Sequence, residues 1–190
     1  MTGEKRRWPL EFAETIADTL VGLLRPRCQR IQVAGSIRRR KPMVGDIEIL
    51  YIPVATTRTN LLGEPSKQLN TLDQEIQTLI SARVLDFRYN KAGHRIAYGP
   101  LNKCLVHVPS GMGVDIFCTT EERWAMSLVI RTGPAEMNIR LMKTALAQGL
   151  SGHAYGEGFT LPDGSLQVCR SEEEVFTAVG WPYLPPEERR

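Results

Sequence analysis

Apolar positions along the chain alternate between two periods. Leu10, Ala13, Ile16, Ala17, Leu20 and Leu24 recur every three or four residues, the spacing of one helix face. Pro9 suits the first turn of that helix and Pro26 ends it, so a helix is predicted over 9–26. "IQVAG" at 31–35 reads as a short strand that stops at glycine, and "SIRRRKPMVG" as a turn or short helix. Residues 46–53 form a second strand, β-branched and apolar except at its start. Residues 55–70 show no period and read as a loop. Leu72, Ile76, Leu79 and Ile80 then mark a helix over about 71–82.

Strands are predicted at 84–89, 102–108 and 113–118, punctuated by Gly93, Gly99-Pro100 and Ser110-Gly111. Thr119 with Glu122 has the spacing of a capping box opening a further helix. Another helix runs from Pro134 to Gln148, with Gly149 as its stop. "GHAYGEGFTLPDGSLQVC" reads as a hairpin turning at Pro162-Asp163-Gly164, and Ser171 with Glu174 caps a last short helix. The outline is α+β: a sheet-centred lobe over 1–120 and a smaller helix-plus-hairpin lobe over 121–190.

Composition narrows the classes. The 190 residues are 42% hydrophobic, enough for one good core or two small lobes. There is no run of eighteen apolar residues, so no membrane span is expected. The start, "MTGEKRRWPLEF", lacks an apolar signal core, so a cytoplasmic location is expected. Cys28, Cys104, Cys118 and Cys169 form no C-x-x-C pair, so reduced thiols are expected and a zinc site is not. Charge is uneven. Residues 1–41 carry ten Lys/Arg against four acids, a balance of +6, and the remainder is −3. A basic end of that kind suits a polyanionic partner, or is an ordinary solvated face.

Chemistry enters with "VGDIEIL". Asp46 and Glu48 are two apart on a strand and so share a face, roughly 6–7 Å apart. Half-buried like charges repel, and desolvation adds to the cost. Water, a basic partner or a metal ion must offset it. Ten residues upstream, Gly35-Ser36 ends a strand where a backbone can come close to a ligand. Ser36 and the Arg38–Arg40 run could hold phosphate oxygens. A third acid, Asp115, lies in "GMGVDIFC". If 113–118 pairs beside 46–52, three carboxylates converge next to a phosphate cradle, a set suited to two magnesium ions.

"GSIRRRKPMVGDIEIL" followed by "VDIF" resembles the nucleotidyltransferase superfamily, and more narrowly DNA polymerase family X. "RTGPAEMNIRL" is similar to that family's thumb motif, and "HAYGEGF" and "EEEVFTAVGWPYLPPEERR" are similar to its C-terminal segment. The resemblance covers about residues 30–190. It implies a nucleotidyltransferase palm, a mixed sheet with helices, and a small C-terminal thumb-like helix/hairpin lobe. It implies Asp46, Glu48 and Asp115 as metal ligands for two Mg2+ or Mn2+ ions. Ser36 and Arg39 would bind the β- and γ-phosphates, and Gly35 and Gly45 would line the pocket. Arg131, Thr132, Gly133 and Asn138 would face the incoming sugar and base. Lys91 and Arg95, in "KAGHRIAYG", are DNA-contact candidates or part of a plain exposed loop.

The departures from the family are specific. Glu48 stands where the polymerases usually have Asp. Gly113 occupies a position that is often Arg, so one support of the primer end is missing. Ile130-Arg131 replaces a pair that usually contains an aromatic, leaving a flexible guanidinium near the sugar. Met142 sits where a template-contacting Arg is common. No segment resembles the N-terminal lyase domain, so the chain resembles a minimal palm-plus-thumb polymerase, like those some viruses encode. The expected activity is addition of dNMP to a primer 3′-hydroxyl, at short gaps as in repair. DNA primer/template and dNTP are the expected partners, and no obligate protein partner is evident. The alternatives are a template-independent transferase and a non-catalytic DNA-binding module with a decayed site.

Overall fold

A computed structural model describes residues 6–54, 58–59, 65–66 and 71–189. Helix α1 (Leu10–Leu24) buries Ala13, Ile16, Ala17, Leu20 and Leu24, the stripe that its spacing marks. Pro26 falls inside a single 3-10 turn, Arg25–Arg27, because its ring and missing N–H cannot continue the helix. Strand β1 (Cys28–Val33) begins earlier than expected and stops at Val33. Gly35 opens the four-residue helix α2 (Gly35–Arg38) instead of ending the strand. Strand β2 (Asp46–Pro53) follows. The expectation of a loop over 55–70 falls mostly outside the described residues, within which Arg58–Thr59 and Pro65–Ser66 pair antiparallel.

Helix α3 (Thr71–Ser81) leads to β3 (Leu85–Phe87), β4 (Asn102–His107) and β5 (Met112–Cys118). The sheet order is β1-β2-β5-β4-β3. Only the β2/β5 pair is parallel, so the sheet is mixed. Ile47, Ile49, Tyr51, Val114 and Ile116 enter a core with Leu20 and Leu24 of α1 and Leu72 and Ile76 of α3. Trp8–Pro9 pairs with Met43–Val44, a contact between distant segments that no local period signals.

The second lobe comprises α4 (Trp124–Thr132), α5 (Ala135–Ala147), a meander of β6 (Ser151–Gly152), β7 (Gly158–Thr160) and β8 (Leu166–Val168), and α6 (Glu172–Ala178). The predicted hairpin thus gains a third strand. Met126, Val129, Met137, Leu141, Phe159 and Phe176 form this lobe's core. Leu50, Ile52 and Phe117 of the sheet pack with Trp124 and Leu128 of α4, joining the lobes. The Thr119/Glu122 capping box does not form. The buried Thr119 hydroxyl bonds the Ser127 hydroxyl at 2.8 Å, and α4 begins only at Trp124. Ser171 does cap α6, accepting from the Glu174 N–H at 3.2 Å. Among the described residues the cysteines are free thiols, and no helix is long and apolar enough to cross a membrane.

Candidate active site

In the parallel pair, Asp46 lies opposite Gly113 and Glu48 opposite Asp115. In-register partners on parallel strands share a face, so the three acids stand together on the side of the sheet away from the first core. The Ala34 N–H donates to the Glu48 carbonyl at 2.8 Å, tying the Gly35-Ser36 turn to the acidic strand. Gly35 has φ +62°, and a methyl group added there would overlap the Glu48 carboxylate. Glycine is required on both counts.

Burial pushes the Glu48 carboxyl up to about 7, and the charges of Asp46 and Asp115 add to the rise. Burial raises Asp115 as well, against the opposing charge of Arg88. Arg88 is a residue that sequence reasoning missed. Its guanidinium forms an ion pair with Asp115. Among the described residues, no three carboxylate, thiol or imidazole groups already surround one point. The local reason is that Glu48 lies against Gly35 while Asp115 is held by Arg88. The donor chemistry nonetheless fits a hard divalent cation: three carboxylates on one face, with a charge repulsion that such an ion would relieve.

The Arg38–Arg40 run does not act as one cradle. Arg40 turns to Glu14 on α1, at 2.9 Å. Arg38 crosses to the second lobe, donating to the Thr132 hydroxyl at 2.7 Å and to Glu172 at 2.9 Å. Arg39 alone faces a pocket of about 380 Å³ that Ser36, Gly45 and Asp46 also line. The Ser36 hydroxyl and the Arg39 Nε are buried without a partner, which suits oxygens of an anionic ligand. Arg7 and Lys41 line the same pocket. Their place there follows from the Trp8–Pro9 pairing with Met43–Val44, which is why sequence spacing did not reveal it.

From the second lobe, the Thr132 carbonyl accepts from Arg39 Nη1. Gly133 has φ +65°, and a Cβ there would stand 3.1 Å from Arg39 Nη1. Asn138 donates to the Ile130 carbonyl at 2.7 Å, while its Oδ1 is buried without a partner. Arg131 is not the free guanidinium expected. It stacks 3.8 Å from the Phe117 ring centroid and donates to the Tyr155 hydroxyl at 2.7 Å, because two aromatic rings flank it. Lys91 and Arg95 are exposed on the hairpin after β3, with Arg95 lying 4.7 Å from the Phe87 ring centroid.

A model of the DNA polymerase beta thumb matches residues 127–190. The chain is also 26% identical, over 190 residues and 98% of its length, to the DNA polymerase/3′-5′ exonuclease PolX of Bacillus subtilis (strain 168). The chain is thus similar to family X DNA polymerases. It spans 29% of the length of that relative. The thumb-matched range contains Arg131, Thr132, Gly133 and Asn138, and also Glu172, which Arg38 of the first lobe reaches, and Arg189, which pairs with Glu172 within the second lobe. The family likeness and the α+β architecture agree: a mixed sheet carries the acids, and a thumb-like lobe meets Arg39 of the adjoining pocket through the Thr132 carbonyl.

Proposed function

We propose that this chain is a DNA-directed nucleotidyltransferase that adds a dNMP to a primer 3′-hydroxyl at short gaps. The new bond joins the primer oxygen to the α-phosphorus, the bond to the β-phosphate bridge breaks, and pyrophosphate leaves. The observation that supports this most is the pairing of Glu48 with Asp115 beside a pocket holding unpartnered Ser36 and Arg39 donors. Two Mg2+ or Mn2+ ions held by Asp46, Glu48 and Asp115 would lower the pKa of the attacking hydroxyl and neutralise the triphosphate. Ser36 and Arg39 bind the β- and γ-phosphates, with Arg7 and Lys41 extending the positive wall. Thr132, Gly133 and Asn138 orient the sugar and base, and the stacked Arg131 stands behind them. Lys91 and Arg95 meet DNA phosphates, whose neutralisation supplies much of the affinity.

One observation favours a second reading, a template-independent transferase. The α5 face carries Ile139, Met142 and Leu146 along an open apolar groove. Those side chains offer no hydrogen-bond donors to a template base. Primer extension on gapped, nicked and single-stranded DNA, with each dNTP alone, separates the readings. Extension by the templated nucleotide on gapped DNA is expected. Equal use of all four nucleotides supports the second reading, and no extension with either metal contradicts both.

A further inference from the structure

A cleft of about 260 Å³ lies at the joint between the lobes. Its floor includes Trp124 and Leu128, which also pack on Leu50, Ile52 and Phe117. The first lobe supplies Arg30 and Gln32 of β1 and Arg38, and the second supplies Arg170, Glu172 and Glu173. The cleft shares no lining residue with the pocket beside Asp46. The two nonetheless meet at Thr132, whose hydroxyl accepts from Arg38 and whose carbonyl accepts from Arg39. Three donors of the cleft are not fully used. The Arg170 side chain meets no acceptor among the described residues, while its backbone N–H is fixed by Glu174 at 2.7 Å. The Trp124 indole N–H is buried without a partner, on a residue only 3% exposed. Arg30 lies 4.1 Å from the Trp124 ring centroid, and its ion pair with Glu121, at 2.9 Å, joins two exposed side chains. Such pairs contribute little and yield to a ligand. The two acids of the lining do not cancel these donors. Glu172 is already held by Arg38 and Arg189, and Glu173 is solvent-exposed, where its charge is screened.

We propose that this cleft binds a phosphate group, carried by a free anion or by the end of a nucleic-acid strand, and that the ligand ties the two lobes together at their joint. The guanidinium forks of Arg30 and Arg170, one from each lobe, match phosphate geometry. With the Trp124 N–H and the Gln32 amide they offer more donors than the two oxygens of a carboxylate can take, whereas a terminal phosphate presents three. Because the forks come from different lobes, the ligand favours the lobe arrangement that brings both within reach of one anion. The Arg38 side chain, in the wall of the cleft, carries that preference to Thr132. The site stands apart from the acidic centre and does not depend on nucleotidyl transfer.

The test follows the Trp124 indole N–H by two-dimensional proton–nitrogen NMR, assigned through Trp124→Phe, as sodium phosphate is added without divalent cations. Sodium acetate at equal ionic strength is the control. The Trp124 signal should move saturably with phosphate and stay in place with acetate. Arg170→Ala and Arg30→Ala should each weaken phosphate binding by about tenfold, the scale of one charge-assisted bond. Both arginines are exposed, so neither change removes a core contact. A 5′-phosphorylated oligonucleotide and its 5′-hydroxyl counterpart separate the sources. A shift with the phosphorylated strand but not its counterpart admits a terminal phosphate of nucleic acid, and a shift with inorganic phosphate alone restricts the ligand to a free anion. A Trp124 signal that moves with neither phosphate nor the phosphorylated strand overturns the site. Equal shifts with phosphate and acetate, or with the two oligonucleotides, overturn the phosphate class. Phosphate affinity that is unchanged in either arginine variant overturns the bridge between the lobes.

Discussion

The Arg39 guanidinium donates through Nη1 to the backbone carbonyl of Thr132, so one side chain both lines the pocket beside Asp46 and contacts the second lobe. Burial lowers the pKa of Arg39, while the charge of Glu48 works to hold the proton on. Its Nε remains unpartnered. An arriving triphosphate would satisfy that donor and compete for Nη1, coupling nucleotide binding to the contact between lobes.

Arg39→Ala should therefore weaken nucleotide use more than DNA binding. A charge-assisted bond of this kind contributes roughly 1.5–3 kcal/mol, about 10- to 150-fold in apparent dNTP affinity. Nucleotide-concentration series and DNA titrations on the same protein provide the comparison. Weakened DNA binding with unchanged nucleotide affinity would assign Arg39 to the basic face instead.

Glu172 fastens the lobes from the other side. It receives Arg38 and the fully buried Arg189, each at 2.9 Å. Burial alone would raise its carboxyl, but the bonds and charges of the two arginines outweigh that and hold it below the ordinary range. Glu172→Gln leaves positive charge buried without its counterion and should lose roughly 3 kcal/mol in urea unfolding at pH 7. The contribution is present above the unfolded carboxylate pKa and disappears as pH falls through the depressed folded value. The two proteins should therefore converge in stability under strongly acidic conditions. Equal stability at pH 7 would mean that the network is not a latch.

Glu48 has the opposite sign. Its folded carboxyl holds the proton more tightly than the unfolded chain does, from 4.5 up to about 7. Without divalent cations, stability should fall as pH rises through that window, by roughly 3 kcal/mol. Urea unfolding in chelator at pH 5 and pH 7.5 measures the fall, and Glu48→Gln should flatten it. A divalent cation binds the ionised form, so Mg2+ should stabilise wild type more at the higher pH. Identical pH profiles for wild type and Glu48→Gln would contradict the placement of Glu48 in a desolvated acidic cluster.

The acidic pair was legible because a D-x-E break in an otherwise β-branched strand stands out and has few inexpensive explanations. The helix stripes of α1 and α3 were legible for the same local reason, their period. Arg88 was not, because its contact with Asp115 depends on which strands are neighbours and on the absence of a side chain at Gly113, neither of which sequence spacing encodes. Arg7 reaches the pocket through a pairing of residues some thirty-five positions apart. The Thr119-x-x-Glu122 pattern misled because Ser127, one helix turn inside α4, takes the Thr119 hydroxyl. Within "RRR", identical residues take three directions, chosen by Glu172, Thr132 and Glu14 in elements far along the chain.

The most direct test of the account is single-turnover primer extension by Asp115→Asn on gapped DNA, with DNA affinity measured in parallel. Losing one carboxylate weakens the charge that would hold both metal ions, whereas DNA affinity comes mainly from Lys and Arg contacts to phosphate. The account predicts that nucleotide addition falls by at least about a hundredfold, the scale of losing one major electrostatic contributor at a reacting centre, while DNA affinity stays near wild type. Extension at a near wild-type rate would contradict the assignment of Asp46, Glu48 and Asp115 as the reacting centre.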